Sequence, residues 1–432
     1  MKMANMDDYF DVVIIGTGAA GLYCALNLPA RYRILLLTKQ KADESDSFLA
    51  QGGICMQHGE ADYRPFFDDT MRAGHYENNP ATVDLMIRSS NSIIRDLVRR
   101  GVRFARDDHG ALRFTREGAH SRPRILFHED ITGHEITQTL LTEALRCENI
   151  ELREHTTLLD FFADASACGG VIAAGPDGEP RAIGAGAVVL ACGGIGGLYK
   201  NSTNFPHITG DAIAMALRHG VACEHLDYIQ IHPTTLYSHR KGRRFLISES
   251  VRGEGALLLD KNGNRFTNEL QPRDVVSAAI RAQMEKDGTD HVWEDMRPIG
   301  EAAIREHFPN ILERCEEEGY DPIHEPIPVV PAQHYFMGGI TADLSSRTAL
   351  PRLYACGETC CNGVHGRNRL ASNSLLESLV FAQRAADDIL YGEPPVFTGD
   401  KPDLAPYREQ EPLFAAYRQE VLTAIERSKN HE

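Results

Sequence analysis

Two short stretches hold residue types whose spacing could do chemistry. In "RFTREGAHSRPRIL", residues 113–126, one carboxylate, Glu117, stands among Arg113, Arg116, Arg122 and Arg124, beside Gly118, Ala119 and His120. Taken alone, such a run reads as a solvated charged turn. In "DVVIIGTGAAGLYCALNL", residues 11–28, Gly16, Gly18 and Gly21 form GxGxxG between an apolar run and a helix-forming one. The first glycine allows a tight turn, the second lets backbone approach a pyrophosphate, and the third permits close packing of helix on strand. That pattern, placed between strand and helix, predicts dinucleotide binding without separating FAD from NAD.

The elements that must position these residues follow from apolar patterning. "DVVIIG" and "YRILLLTK" are continuous apolar runs, the signature of strands buried on both faces, and they flank a helix. A βαβ unit of this kind implies a doubly wound α/β domain. "AVVLACGGIGG" (187–197) and "PRLYACGE" (351–358) read as later returns to the same sheet. Between about 226 and 334 the chain alternates polar and apolar residues, carries several prolines, and includes the helical segment "DVVSAAIRAQMEKDG". This suits an inserted α+β domain. The Pro-rich "DPIHEPIPVVP" (321–331) reads as an extended return path, because successive prolines disfavour helix. After "GEPPVFTGDKP" one further helix is expected, "PLFAAYRQEVLTAIERS".

Composition narrows the classes. A chain of 432 residues exceeds one ordinary core, so two or three domains are expected. The net charge of −16 argues against nucleic-acid binding, since phosphate contacts need a basic surface. No apolar run approaches the roughly 20 residues that span a bilayer, so membrane insertion is not expected. "MKMANMDDYFDVVIIGTG" has acids before its first apolar segment, unlike a signal peptide. The ten cysteines show no CxxC pair, so neither a disulfide framework nor a metal site is expected, and a cytoplasmic location follows.

The second strand ends in Thr38-Lys39, where NAD enzymes usually place an acid for the ribose. Further glycine-rich elements, "AQGGI" (50–54), "ACGG" (191–194) and "ACGETCCNGVHGRNRLASNSLLES" (355–378), favour the larger FAD. Glu358 would lie near a ribityl chain, and "SNSLLES" reads as a helix start with N–H groups open to a ligand. The expected fold is thus α/β: a doubly wound Rossmann-like FAD-binding domain in two parts, 7–225 and 335–395. An inserted α+β capping domain would span 226–334 and a short C-terminal helical tail 396–432.

The motifs "GTGAAG", "AQGGI", "TGD" (209–211), "QIHPTTLY" (230–237), "SESVRGEGA" (248–256), "PRD" (272–274), "HYFMGGI" (334–340) and "HGRNRLASNSLLE" (365–377) occur in order. Over about residues 7–395 the chain resembles the succinate dehydrogenase/fumarate reductase flavoprotein family. The resemblance implies an FAD site at Gly16, Thr17, Gly18, Ala19, Ala20 and Gly21, then Lys39, then Asp46, Ser47, Phe48, Leu49, Ala50, Gln51, Gly52 and Gly53. Gly193, Asp211, Glu358, Ser374 and Leu375 complete it. Respiratory members hold the flavin covalently on a histidine five residues before the glutamine of AQGG; Asp46 stands there, which implies non-covalent FAD.

"TREGAHS" is similar to the branch of that family that oxidises L-aspartate to iminoaspartate at the start of NAD biosynthesis. There the residue matching Glu117 meets the α-amino group. The resemblance assigns the carboxylates to Arg369, His334 and His232, with softer contributions from Ser248 and Gln230. It makes Arg273 a proton donor when fumarate is reduced, with Glu249 placed to pair with it. L-Aspartate would give a hydride to the flavin, and oxygen or fumarate would reoxidise it. Quinolinate synthase is the implied functional partner. Three departures stand out: Arg367 where a small residue is common, an acid at Asp46, and only about 37 residues after 395 where a further helical domain is usual. The main rival is a soluble fumarate reductase or succinate dehydrogenase-type flavoprotein, which would share the carboxylate-binding residues and differ in the use of Glu117. A flavin-binding protein without turnover, or a nicotinamide-dependent dehydrogenase, fits less of the pattern.

Overall fold

The computed structural model describes residues 8–240, 242–392 and 397–430. The expected limits at 7, 395, 396 and 432 therefore lie outside the described residues. The strand Tyr9–Ile15 holds Phe10, Val12, Val13 and Ile14 with no accessible surface, so it must be covered on both faces. It pairs in parallel with Ile34–Leu37 on one side and with Pro180–Leu190 on the other. Ile150–Arg153 extends the sheet beyond Ile34–Leu37, and Leu353–Ala355 lies alongside the end of Pro180–Leu190, Leu353 opposite Val188. Both expected return strands thus belong to this sheet.

Pro180–Leu190 has two neighbours on one edge. Its second half pairs with Leu353–Ala355, while its first half pairs antiparallel with Cys168–Ala174, Gly184 opposite Gly170. Thr157–Ala163 completes an antiparallel meander there. The helices Ala19–Asn27 and Asn373–Tyr391 pack in one apolar cluster with the sheet. Asp211–Arg218 and Gln410–Lys429 pack in another cluster with it. The first turn leaves no freedom of residue choice. Gly16 has φ +112°, and a Cβ there would lie 2.1 Å from the Ala191 carbonyl oxygen. A Cβ at Gly21 would lie 2.0 Å from the Gly16 oxygen, so helix and strand meet backbone to backbone.

Within 226–334, the antiparallel strands Ile229–Leu236, Ile327–Phe336, Val292–Asp295 and Leu257–Leu259 form a four-stranded sheet in that order. Its apolar cluster draws its buried members from Leu236 to Val329. The Pro-rich return path is extended as expected, and from Ile327 onward it is an inner strand of this sheet. Proline is tolerated because Pro328 needs only its carbonyl, which accepts from the Tyr237 N–H. Pro233 and Pro331 fall together where the register shifts between His232 and Thr235. Two residues without N–H donors meet at one of the two places where this ladder is already broken. That irregularity sits next to His232.

The C-terminal helix buries Tyr417, Val421 and Ile425, and the Tyr417 hydroxyl donates to the Leu159 carbonyl at 2.7 Å. Tyr417→Ala removes a fully buried ring and leaves that carbonyl unpaired. It should cost about 3 kcal/mol, read as a lower thermal midpoint, the loss being measured with FAD in excess.

Candidate functional site

The carboxyl ends of the parallel strands open into one cleft, lined by Ile15, Leu37, Ala191 and Cys356 at the strand ends. This is the place where open α/β sheets bind ligands. Gly16, Thr17, Gly18 and Ala20 line it from the first turn. The turn Asp46–Leu49 lies against the helix start, where the Ala19 N–H donates to Ser47 Oγ at 3.0 Å. At the far side, Lys39 bonds Asp211 at 2.7 Å, and its Nζ stands 4.8 Å from the Phe414 ring centre.

Several buried polar atoms of cleft residues have no partner within the protein: Ser45 Oγ, Asp46 Oδ2, Gln51 Oε1, His232 Nε2 and Arg369 Nε. Buried polar groups are normally paired, so these mark where a polar ligand belongs. With the glycine turn, they fit FAD along one arm and a small anionic substrate at its end. Burial pushes the Asp46 carboxyl up to about 7, against the Phe205 N–H that it accepts at 2.9 Å and the nearby Arg243. Burial, then the proximity of Asp46, pushes Glu358 to about 8, with its Oε1 accepting from the Phe336 N–H. The full negative charge expected of Asp46 near the flavin is therefore muted by burial.

At the substrate end two guanidiniums and two carboxylates converge. Glu117 is 3% exposed, Arg369 4% and Arg273 6%. Arg273 bonds Glu249 through Nε and the Gln230 side-chain oxygen through Nη1, the latter at 2.8 Å. Gln230 in turn donates to Asn368 Oδ1 and to the Arg369 carbonyl, each at 2.8 Å. Burial works against the Glu249 charge, but Arg273 and Arg252 outweigh it and hold the carboxyl below its ordinary value. Arg369 donates to Ser374 Oγ at 3.0 Å and lies 4.4 Å over the Tyr335 ring; burial and the neighbouring Arg273 lower it to about 10. His232 and His334 meet edge to face, ring centres 5.1 Å apart. Burial and Arg273 keep both well below the ordinary histidine value, so they are neutral. His232 Nδ1 is engaged by the Thr234 backbone and His334 Nδ1 by Thr203 Oγ1 at 2.8 Å, leaving the other nitrogen of each ring toward the cleft end.

The opening arginines do not surround Glu117. Arg113, Arg116 and Arg122 are exposed, and Arg124 is fully buried in pairs with Asp62 and Asp69. Of this stretch only Glu117 lines the cleft, where it accepts from Ser250 Oγ at 2.8 Å and from Ser372 Oγ at 2.5 Å. Burial, and then Glu249, raise its carboxyl above the ordinary range. Ser248 lines the cleft and caps the short helix Glu249–Gly253 by accepting from the Ser250 N–H. Gln230 does not line the cleft; it stands behind Arg273. Of the residues expected to line the FAD site, Ala19, Gly21 and Phe48 fall outside the cleft lining. Ala19 and Phe48 belong to the apolar cluster beneath, while Gly21 touches strand backbone. The remaining residues expected at the FAD site line the cleft. Arg367 is exposed, 3.8 Å from Glu77 and over the Tyr228 ring, outside the cleft lining. Sequence reasoning missed Ser250, Ser372, Thr203, Arg243 and Tyr335. Among the described residues no cluster suited to a metal ion occurs and no helix is long and apolar enough to cross a membrane.

Comparison with known proteins agrees with this geometry. Residues 11–375 match the family model described as "FAD binding domain". Among solved structures, an E. coli quinol fumarate reductase superposes with a TM-score of 0.83 at 31% identity, over 95% of this chain and 74% of that one. A quinol-fumarate reductase with menaquinol molecules gives 0.84 at 32%, over 95% and 75%. The fold and cleft are those of an FAD-binding flavoprotein of the fumarate reductase type. L-aspartate oxidase of Clostridium perfringens is 47% identical over 380 residues, 88% of this chain and 86% of that protein, so the two are of similar length. That of Nostoc sp. is 44% identical over 98% of this chain and 76% of its own length. The chain belongs to the L-aspartate oxidase family.

Asp46 and Glu358 give a pH signature. Each is raised above its unfolded value, so each favours the folded form fully only below about pH 4. That contribution is lost as pH rises through about 7 for Asp46 and about 8 for Glu358. In FAD-free protein, Asp46→Asn and Glu358→Gln should each melt several degrees above wild type near pH 8.5, with the gap closing toward pH 5, by calorimetry.

Proposed function

We propose that this chain oxidises L-aspartate to iminoaspartate in the cleft, with non-covalently bound FAD and with oxygen or fumarate as the final electron acceptor. The observation that carries the reading is Glu117: a carboxylate turned into a cleft end that also holds two guanidiniums, two neutral histidines and Glu249, which Arg273 engages. A plain C4 dicarboxylate is served by the cations alone. An amino dicarboxylate also needs an acceptor for its ammonium group.

Arg369 takes one carboxylate, its planar fork being suited to bidentate contact. His232 and His334 donate to the other, and Ser248 adds a hydroxyl. Glu117 accepts from the α-ammonium group, so orients the Cα–H bond, and takes the proton that the nitrogen must lose for the C=N bond to form as the hydride leaves. Bound FAD supplies the two-electron acceptor for the hydride from Cα. Positioning by the chain and its preorganised charges lowers the barrier, because the groups need not reorganise when charge moves. When fumarate is the acceptor, Arg273, held by Glu249 and Gln230, delivers the proton to carbon.

Residues 226–334 supply His232, Arg273 and His334, and we assign this segment the part of a cap that closes on the substrate and excludes water, with 7–225 and 335–395 forming the FAD-binding part and 396–432 a helical tail. The absence of a histidine at position 46 supports dissociable FAD. A cytoplasmic setting, and delivery of the unstable imine to quinolinate synthase, complete the proposal.

The test is anaerobic mixing of FAD-loaded protein with L-aspartate or with succinate while the oxidised flavin band is recorded. Aspartate should bleach the band, and Glu117→Gln should slow bleaching about 100-fold, since an ionic hydrogen bond at the reacting end is lost. Bleaching by succinate with no response to aspartate would move the chain to the fumarate reductase reading.

A further inference from the structure

The carboxylate of Glu117 is seated by three segments far apart in sequence. Ser250, 133 residues on, donates to Oε1, and Ser372, 255 residues on, donates to Oε2. Space for the seat comes from glycines. A Cβ at Gly52 would lie 2.3 Å from Glu117 Oε1, and one at Gly253 would lie 2.5 Å from the Arg116 carbonyl oxygen. Ser372 has φ 60°, a left-handed conformation in which glycine would be the unstrained choice. A serine held there at a cost in strain implies that its hydroxyl is required. Its only partner among the described hydrogen bonds of its side chain is Glu117.

The charged groups that face Glu117 pull in opposite directions. Glu249 opposes its ionisation and Arg273 favours it; the Cys55 thiol on the adjoining strand is kept neutral by burial. A buried carboxylate beside a second one would otherwise take up a proton, and a neutral acid is a poor acceptor for ammonium. Two hydroxyls that donate to it, one to each oxygen, stabilise the ionised form and leave it nothing to donate. They also fix the plane of the carboxylate, so its remaining lone pairs point in one direction.

We infer that Ser250 and Ser372 are positioning residues that make the cleft select an amino dicarboxylate over a plain one, by holding Glu117 as an oriented anion. This rests on Glu117 receiving the substrate's ammonium group. Ser250 comes from the inserted segment and Ser372 from the loop before the helix Asn373–Tyr391, so the selective site is complete only when all three segments are docked.

The test compares FAD-loaded wild type, Ser250→Ala, Ser372→Gly and Glu117→Gln. For each, kcat/KM for L-aspartate is measured from about pH 5 to 9 and divided by that for fumarate reduction with a reduced dye. Each serine variant should lower this ratio by about tenfold, as expected for one lost hydrogen bond to a charged group. The acid limb of the aspartate profile should move to higher pH, because losing a donor to the ionised form raises the pKa. Ser250→Thr, which keeps the hydroxyl, should restore both. An equal fall in the two reactions with the acid limb unmoved would make the serines mere packing and overturn the inference. Either variant decides it, since each addresses a different oxygen. A ratio unchanged in Glu117→Gln would instead overturn the reading of Glu117 itself.

Discussion

Two guanidinium groups are buried in one cleft, and that constraint organises everything around it. Taking a cation out of water is costly unless an anion and donors' partners come with it. Arg273 has Glu249 and Gln230, a complete set. Arg369 has only Ser374, a ring face and its distance from Glu249, and its acidity rises accordingly. At its substrate end the cleft sets these two cations against Glu249 and Glu117, with Glu249 already engaged by Arg273. A substrate carboxylate gives Arg369 the anionic partner that Glu249 gives Arg273, and Glu117 is left to meet a cationic group. The two histidines follow from the same field: beside such cations they remain neutral, and act as hydrogen-bond donors that add no further charge.

Much of this was legible in the chain because the informative signals are local. GxGxxG between two apolar runs specifies the first turn, and the steric limits at Gly16 and Gly21 show why no other residue serves. The return strands at 187–190 and 353–355 announced themselves as apolar runs ending in small residues. What escaped is non-local. Ser250 and Ser372 look like any serine until the fold brings them to Glu117, while the solvated-turn reading of the charged run holds for Arg113 and Arg116 and fails for Glu117 and Arg124. Charge clustering along a chain is a poor guide to charge clustering in space, because a turn can send neighbouring side chains to opposite sides.

The prolines of 321–331 teach the same lesson from the other direction. The prolines were read as disfavouring helix, and the extended path they imply is an inner strand that accommodates them where a register shift interrupts the ladder. The irregularity that tolerates Pro233 and Pro331 also lies beside His232. A local flaw in pairing is thereby turned into a placement device for a ligand-facing ring.

Pro180–Leu190, with two partners on one edge, has a further consequence for how the chain is made. Its first half is covered by the meander just before it in sequence, within moments of synthesis. Its second half waits for Leu353–Ala355, more than 160 residues later. During that interval Val188, Val189 and Leu190 present an apolar strand with one unpaired edge, the most aggregation-prone surface a nascent chain can show. The whole inserted segment is translated while that edge stands open. A three-residue strand near the end of the chain thus closes a sheet begun at its start.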